Sequence, residues 1–170
     1  LEFNAAIVHA RENDIDAARA SLDQAREVMN QFQLNYLEAQ VNLIEAAINE
    51  AQGDFPAMAD HCKAVIELTK QSVFANDDQV SLSQIYAQMA MAQIKSNDLN
   101  AAEKSIETGF RLDPSEPLLW VAKARLQKAR NMPQLALASV NYALAIWQAA
   151  DEHYLFAKEA RELAAELQSQ

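Results

Sequence analysis

Hydrophobic residues recur at steps of three and four along most of this chain. The first long run of this kind consists of Ile15, Ala18, Leu22, Ala25 and Met29. Such spacing places the apolar residues on one side of a segment and predicts an amphipathic helix. Further runs follow at intervals of about 15 to 20 residues, so the pattern predicts a series of helices in which sequence neighbours are antiparallel.

The breaks between the predicted helices carry residues that end one helix and begin the next. Gly53-Asp54 is the first clear example, because Gly tolerates the left-handed conformation that ends a helix and Asp can cap the helix that follows. The other predicted breaks lie at Asn76-Asp77-Asp78, at Asn97-Asp98, at residues 113–117 and at residues 131–133. The proline-rich segment 113–117 is the strongest of these signals.

The helices group into a repeated unit of helix, tight turn and second helix. Ala18, Met58, Ala102 and Ala136 occupy equivalent positions, and their separations are 40, 44 and 34 residues. We expect repeats at about 1–33, 34–75, 79–114 and 116–150, followed by a capping helix over 152–168. All of them are assigned to one domain spanning residues 1–170. The start at Leu1 suggests a fragment of a larger protein.

The last two copies resemble tetratricopeptide repeats. In that family a large aromatic opens the first helix, small residues lie where two helices meet, and Gly or Asn precedes Asp at the turn. The matching residues are Tyr86, Ala90, Asn97, Asp98, Ala102, Ile106, Gly109 and Pro114 in the third copy, and Trp120, Ala124, Asn131, Ala136, Val140 and Ala143 in the fourth. The resemblance implies an all-α, right-handed superhelical solenoid of antiparallel helix pairs.

The first half has longer helices and is similar to the repeats of bacterial transcription activators of the maltose-regulon type and of related signalling ATPases. This resemblance implies a scaffold or regulatory binding domain of a bacterial signalling or transcription protein, without catalysis.

Composition agrees with a helical chain and restricts its partners. The sequence has 51% hydrophobic residues and only two glycines, too few for a typical sheet protein. Its formal net charge of −10 argues against nucleic acid or an anionic membrane surface as the main partner. The acidity is uneven, because residues 1–85 carry 14 Asp and Glu against 5 Lys and Arg, whereas residues 86–170 carry 10 against 9. The single cysteine, Cys62, fits a reducing compartment, so a cytoplasmic location is expected.

The sequence contains no recognisable arrangement of catalytic or metal-binding residues. The three histidines are scattered, and the adjacent His61 and Cys62 point about 100° apart on a helix. We therefore expect no enzyme activity and no cofactor, with Cys62 in the core and His61 on the surface. Trp120 and Trp147 are interpreted as packing residues rather than as a ligand box, and the frequent turns argue against a long coiled coil.

The candidate site is the concave groove of the solenoid, formed by the side of each first helix opposite its packing stripe. Its predicted residues are Asn42, Asn49, Gln84, Gln88, Met91, Lys95, Arg125 and Lys128, with Ala46, Glu50 and Val121 on the same predicted side. We expect this groove to bind a protein or peptide segment that is acidic or apolar. The alternative function is a small-ligand-sensing regulatory domain. The same residues would also fit an ordinary solvated surface that binds nothing. The sequence does not determine the oligomeric state.

Overall fold

A computed structural model describes residues 2–71, 81–151 and 154–169. Within these ranges the regular structure is helical and contains no strand, which confirms the predicted all-α class. The helices are α1 (Phe3–Arg11), α2 (Ile15–Phe32), α3 (Glu38–Gln52), α4 (Phe55–Gln71), α5 (Leu82–Lys95), α6 (Leu99–Leu112), α7 (Pro117–Ala129), α8 (Pro133–Ile146) and α9 (Leu155–Gln168). A short 3-10 helix, Asn35–Leu37, precedes α3.

The chain divides into two compact units, Leu1–Val80 and Ser81–Gln170, which we call unit 1 and unit 2. In unit 1, α1 pairs with α2 and α3 pairs with α4, while α1 also packs against α3. In unit 2, α5 pairs with α6, α7 pairs with α8, α5 packs against α7, and α9 packs against α8. Assignment of residues 1–170 to a single domain stays a prediction.

Each helix pair is joined by the same left-handed turn. The residues at its centre are Asn13, Gly53, Asn97 and Asn131, with φ of 62°, 74°, 61° and 60°. In every case the N–H of the central residue donates to the carbonyl of the residue three positions before it. The N–H of the following residue donates to the carbonyl five positions before it, and the two bonds together form the Schellman motif. The turns are separated by 40, 44 and 34 residues, so they confirm the register derived from the sequence.

The residue after the turn usually caps the second helix of the pair. Asp14, Asp54 and Asp98 each accept a hydrogen bond from the backbone N–H three residues later, at 3.1 Å in all three cases. The fourth turn has Met132 at this position, where the side chain makes no cap, and Pro133 begins the helix instead. The predicted starts of α2, α4 and α6 therefore agree with the structure.

Helix length, rather than the turn, distinguishes the two units. The second helices α2 and α4 contain 18 and 17 residues, whereas α6 and α8 contain 14 each. This difference of about one turn confirms the expectation of longer helices in the first half.

Small residues allow the helices of each pair to approach closely. Ala18, Ala90, Ala102, Ala124 and Ala136 are all completely buried.

In unit 2, hydrogen bonds between polar side chains also connect the two helices within each pair. Ser105 Oγ donates to Gln93 Oε1 at 2.8 Å, and 34 residues later Ser139 Oγ donates to Gln127 Oε1 at the same distance.

Several predicted boundaries need correction. The expected cap Asn76-Asp77-Asp78 lies outside the described residues, and the N-cap of α5 is Ser81, whose Oγ accepts from Gln84 N–H at 3.4 Å. The C-terminal helix begins at Leu155 rather than near residue 152. Helices α7 and α8 begin at Pro117 and Pro133, the last residues of the predicted breaks 113–117 and 131–133, because proline is well suited to the first helical position.

The strongest predicted break, residues 113–117, is held by local hydrogen bonds. Asp113 Oδ1 accepts from the Ser115 N–H at 2.8 Å and from its Oγ at 2.6 Å, and these bonds lower the pKa of Asp113. Glu116 Oε1 accepts from the Leu118 N–H at 3.0 Å and caps α7. Burial raises the pKa of the Glu116 carboxyl. The break therefore has a defined conformation.

Candidate functional site

A pocket of about 510 Å³ opens in unit 2 between α5, α7 and α9, and we call it the unit-2 groove. Four of the eight predicted site residues line it: Met91, Lys95, Arg125 and Lys128. The rest of its lining is Ile94, Ala129, Glu159, Glu162, Leu163 and Glu166. Sequence reasoning treated the C-terminal helix only as a cap and missed the contribution of α9.

The floor of the unit-2 groove is apolar. Met91 and Leu163 are each only 7% exposed, and Ile94 beside them is half-buried. Met91, a predicted groove residue, therefore lies in the floor of the pocket and not on its exposed rim. Val121 and Ala46, expected on the same face, are also buried in their cores.

The physical reason for these corrections is that the inner helices pack on more than one side. Helix α5 contacts both α6 and α7, and α7 contacts α5, α6 and α8. The exposed part of such a helix is narrower than the face opposite a single packing stripe. Only positions near the middle of that face can therefore meet a ligand.

Two of the predicted cations are already paired with carboxylates of α9. Arg125 Nη2 donates to Glu159 Oε2 at 3.1 Å, and Lys128 Nζ donates to Glu166 Oε1. The two glutamates are seven residues apart and thus lie on one side of α9. That spacing is the sequence signal that could have identified this wall.

The unit-2 groove is consequently of mixed charge rather than basic. Its lining contains three basic residues, Lys95, Arg125 and Lys128, and three acidic ones, Glu159, Glu162 and Glu166. Because the basic residues belong to α5 and α7 and the acidic ones to α9, around one apolar floor, acidic character alone does not define a suitable ligand.

The remaining predicted residues lie elsewhere. Gln84 and Gln88 are half-buried on α5 and are not part of the pocket lining. In unit 1, Asn49 Nδ2 donates to the Glu45 carbonyl and Asn42 Nδ2 to the Glu38 carbonyl, both at 2.9 Å. These amides therefore make hydrogen bonds along their own helix.

His61 is not simply a surface residue as expected. It is half-buried, and its Nδ1 lies 2.9 Å from Asn42 Oδ1. This contact joins α4 to α3 in unit 1. One of the predicted groove residues therefore contributes to packing within a helix pair.

Trp120 and Trp147 make packing contacts. Trp120 Nε1 donates to the Pro114 carbonyl at 3.2 Å, and its ring lies 4.9 Å from Phe110 and 4.4 Å from Tyr142. Lys123 Nζ lies 4.6 Å from the centre of the same ring. Both tryptophans are only partly buried against the core of unit 2.

The described residues contain no group of three or more His, Cys, Asp or Glu side chains placed to hold a metal ion. Cys62 is completely buried, which agrees with its predicted core position, and burial raises the pKa of its thiol to about 12. A thiol in this environment is a poor nucleophile. No described helix has the length and apolar character needed to cross a membrane.

Comparison with known proteins gives a structural match alone. No family model matches the chain, and no curated protein matches it. The chain is similar to the crystal structure of the APC/C hetero-tetramer Cut9–Hcn1, with a TM-score of 0.68 and 16% sequence identity. The match covers 98% of this chain and 29% of that chain, a tetratricopeptide-repeat protein. The chain therefore has a tetratricopeptide-repeat-like fold, a helical solenoid of antiparallel helix pairs.

Proposed function

We propose that the chain is a non-catalytic protein-interaction scaffold or regulatory domain and that the unit-2 groove binds a segment of its partner. The single observation that carries this proposal is the apolar floor of Met91 and Leu163, bordered by basic residues of α5 and α7 and by carboxylates of α9. Buried apolar contacts supply affinity, while surrounding charges select and orient the ligand.

The partner segment that fits best has an apolar residue at its centre and charges of both signs beside it. The apolar residue would lie over Met91 and Leu163. Its acidic neighbours would approach Arg125 and Lys128, and its basic neighbours would approach Glu159 and Glu162. This assignment revises the sequence-based expectation of an acidic or apolar segment, because α9 adds three carboxylates to the lining.

Similarity to the structural relative also supports a scaffold role. That relative is described as part of a hetero-tetrameric APC/C assembly. The present chain spans 29% of that relative's length. Its protein partners, its cytoplasmic location and its place within a larger bacterial signalling or transcription protein therefore belong to this proposal.

The proposal can be tested by selecting binders from a random peptide library displayed on phage, with the purified chain as target. Selected peptides should share an apolar centre with flanking charges. Ala129, which is exposed and lines the pocket, should then be replaced by Trp to fill the groove. We expect Ala129→Trp to weaken peptide binding at least tenfold.

The matched control is Ala20→Trp, because Ala20 is an exposed alanine of α2 in unit 1. It adds the same side chain without altering the groove. Binding that is equally strong to both variants, or selection of no peptide at all, would contradict the proposed site.

The alternative is a small-ligand sensor, and the size of the pocket favours it as a second candidate. About 510 Å³ lies within the range of small-molecule sites. Thermal-shift screening with a metabolite library would distinguish the two. A metabolite that raises the melting temperature of the chain but not of Ala129→Trp, with no peptide selected, would favour the sensor.

A further inference from the structure

The outer side of α8 is exposed but carries no charge. We define the α8 outer face by Leu135, Ala138, Asn141, Tyr142, Ala145 and Ile146, all of which are exposed. The surrounding sequence from residue 132 to residue 150 contains no Asp, Glu, Lys, Arg or His. This absence is unusual in a chain of net charge −10.

The other second helices show what an ordinary solvated face looks like in this protein. The left-handed turns fix which residues are equivalent, so Ala138, Asn141 and Ala145 can be compared across all four pairs. The equivalent exposed triplets are Ala20, Asp23 and Glu27 in α2, Asp60, Lys63 and Glu67 in α4, and Lys104, Glu107 and Arg111 in α6. Only the α8 triplet is uncharged, so its repeat position alone does not explain its composition.

Large apolar side chains lie beside these small ones. Leu135 is 55% exposed, Tyr142 51% and Ile146 42%. Steps of seven and four residues place them in one row along the helix, and Ala138 and Ala145 form a parallel row of small residues. On such a surface the large side chains of a second helix can pack over the row of small residues, beside the large side chains of α8.

We propose that the α8 outer face binds the same face of a second copy of the chain, with the two α8 helices antiparallel about a two-fold axis. Two copies that each carry a net charge of −10 repel one another. They can approach most closely where neither presents a charge. In the antiparallel arrangement Leu135 and Tyr142 of one copy face the alanine row of the other.

Charge also argues against other occupants. An acidic or a basic partner would find no complementary charge on the α8 outer face, whereas the same face of a second copy is equally uncharged. This proposal concerns a different surface from the unit-2 groove and does not depend on peptide binding there.

The size of the face indicates a weak dimer. Helix α8 has 14 residues and is about 21 Å long, and a single helix face buries less than the roughly 800 Å² per partner of a typical stable interface. We therefore expect a dissociation constant of roughly tens to hundreds of micromolar, with the monomer predominating at low concentration.

Sedimentation equilibrium of the whole chain over a wide range of concentrations tests this. We expect reversible monomer–dimer behaviour that becomes tighter with added salt, because salt screens the repulsion between acidic copies. A chain that stays monomeric up to about millimolar concentration would overturn the proposal, and so would a dimer that salt weakens.

Ala138→Lys should weaken the dimer at least tenfold, because it gives α8 the charge that Lys104 gives α6. The control is Ala20→Lys, at the equivalent exposed position of α2. It changes the net charge equally, so it should leave the dimer as strong or slightly stronger. Equal weakening by both variants would contradict the assignment to α8.

A cross-linking experiment tests the two-fold geometry. Asn141 lies midway between Ala138 and Ala145, near the proposed axis, so Asn141→Cys should form an intermolecular disulfide under mild oxidation. Glu107→Cys is the control at the equivalent position of α6. Cross-linking no faster than in this control would overturn the antiparallel arrangement, even if the groove proposal holds.

Discussion

Gly109 in α6 faces the side chain of Leu119 in α7 without room for another atom between them. A Cβ at position 109 would lie 2.5 Å from Leu119 Cδ2 and 3.2 Å from Tyr86 Cβ. Leu119 is completely buried and cannot turn toward solvent. The absence of a side chain at Gly109 therefore sets how closely the third helix pair approaches the fourth.

We expect Gly109→Ala to destabilise the chain by about 1–3 kcal/mol, the usual cost of overpacking a core, even though Ala has the higher helix propensity. Urea denaturation followed by circular dichroism measures the effect. Leu119→Val shortens the opposing side chain, so adding it to Gly109→Ala should cost less than the sum of the two single changes. Additive losses would show that the Gly109–Leu119 contact is not the cause.

The hydrogen bond from Ser105 to Gln93 offers a second prediction. Ser105 is 5% exposed, so Ser105→Ala removes the donor and leaves Gln93 Oε1 without that partner. We expect a loss of about 1 kcal/mol in the free energy of unfolding. Ser96→Ala, at an exposed position in the same helix pair, should change it very little, and a similar loss in both variants would contradict this role.

A third prediction concerns pH. Arg130 donates to both carboxylate oxygens of Glu103, at 2.7 and 2.9 Å, and this contact lowers the pKa of Glu103 below its ordinary value of 4.5. A lowered pKa in the folded state stabilises the protein above the unfolded pKa, and that stability is lost as the pH falls below about 4.5.

Glu103→Gln should therefore lower the melting temperature slightly at pH 7 and have less effect as the solution becomes more acidic. Glu107→Gln removes the same charge from an exposed position of α6 and serves as the control. A difference between the two variants that is independent of pH would argue against the ion pair as its source.

The ion pairs of α9 lead to the fourth prediction. Arg125 and Lys128 both contact glutamates of α9. We therefore expect the double reversal of Arg125 and Lys128 to Glu to weaken the packing of α9 and to destabilise the chain by roughly 1 kcal/mol.

Faster amide hydrogen exchange confined to α9 would identify this effect. Combining Arg125→Glu with Glu159→Arg restores one pair in the opposite sense and should recover part of the loss. If the double reversal leaves exchange in α9 unchanged, the two ion pairs contribute nothing to its attachment.

The sequence was most informative where a single residue determines the backbone. Asn97 and Gly53 tolerate the left-handed conformation, and Asp98 and Asp54 can cap a helix, so the turns and the register followed from residue type alone. The buried alanines also followed from their periodic spacing. These features depend on local chemistry.

The groove was harder to predict because it depends on contacts between distant segments. Arg125 and Glu159 are 34 residues apart, and their pairing requires knowledge of where α9 packs. Met91 looked available because it lies outside the main apolar stripe of its helix. It is buried because α5 has neighbours on two sides, which helix periodicity does not reveal.

The constancy of the four left-handed turns has a consequence for how this chain can change in length. Each turn uses only about six consecutive residues, whereas the extra residues of α2 and α4 extend the helix elsewhere. An insertion of one helical turn near the end of α6 would therefore leave its connection to α5 unaltered. Repeats of different length can in this way coexist within one polypeptide, each pair keeping its own internal geometry.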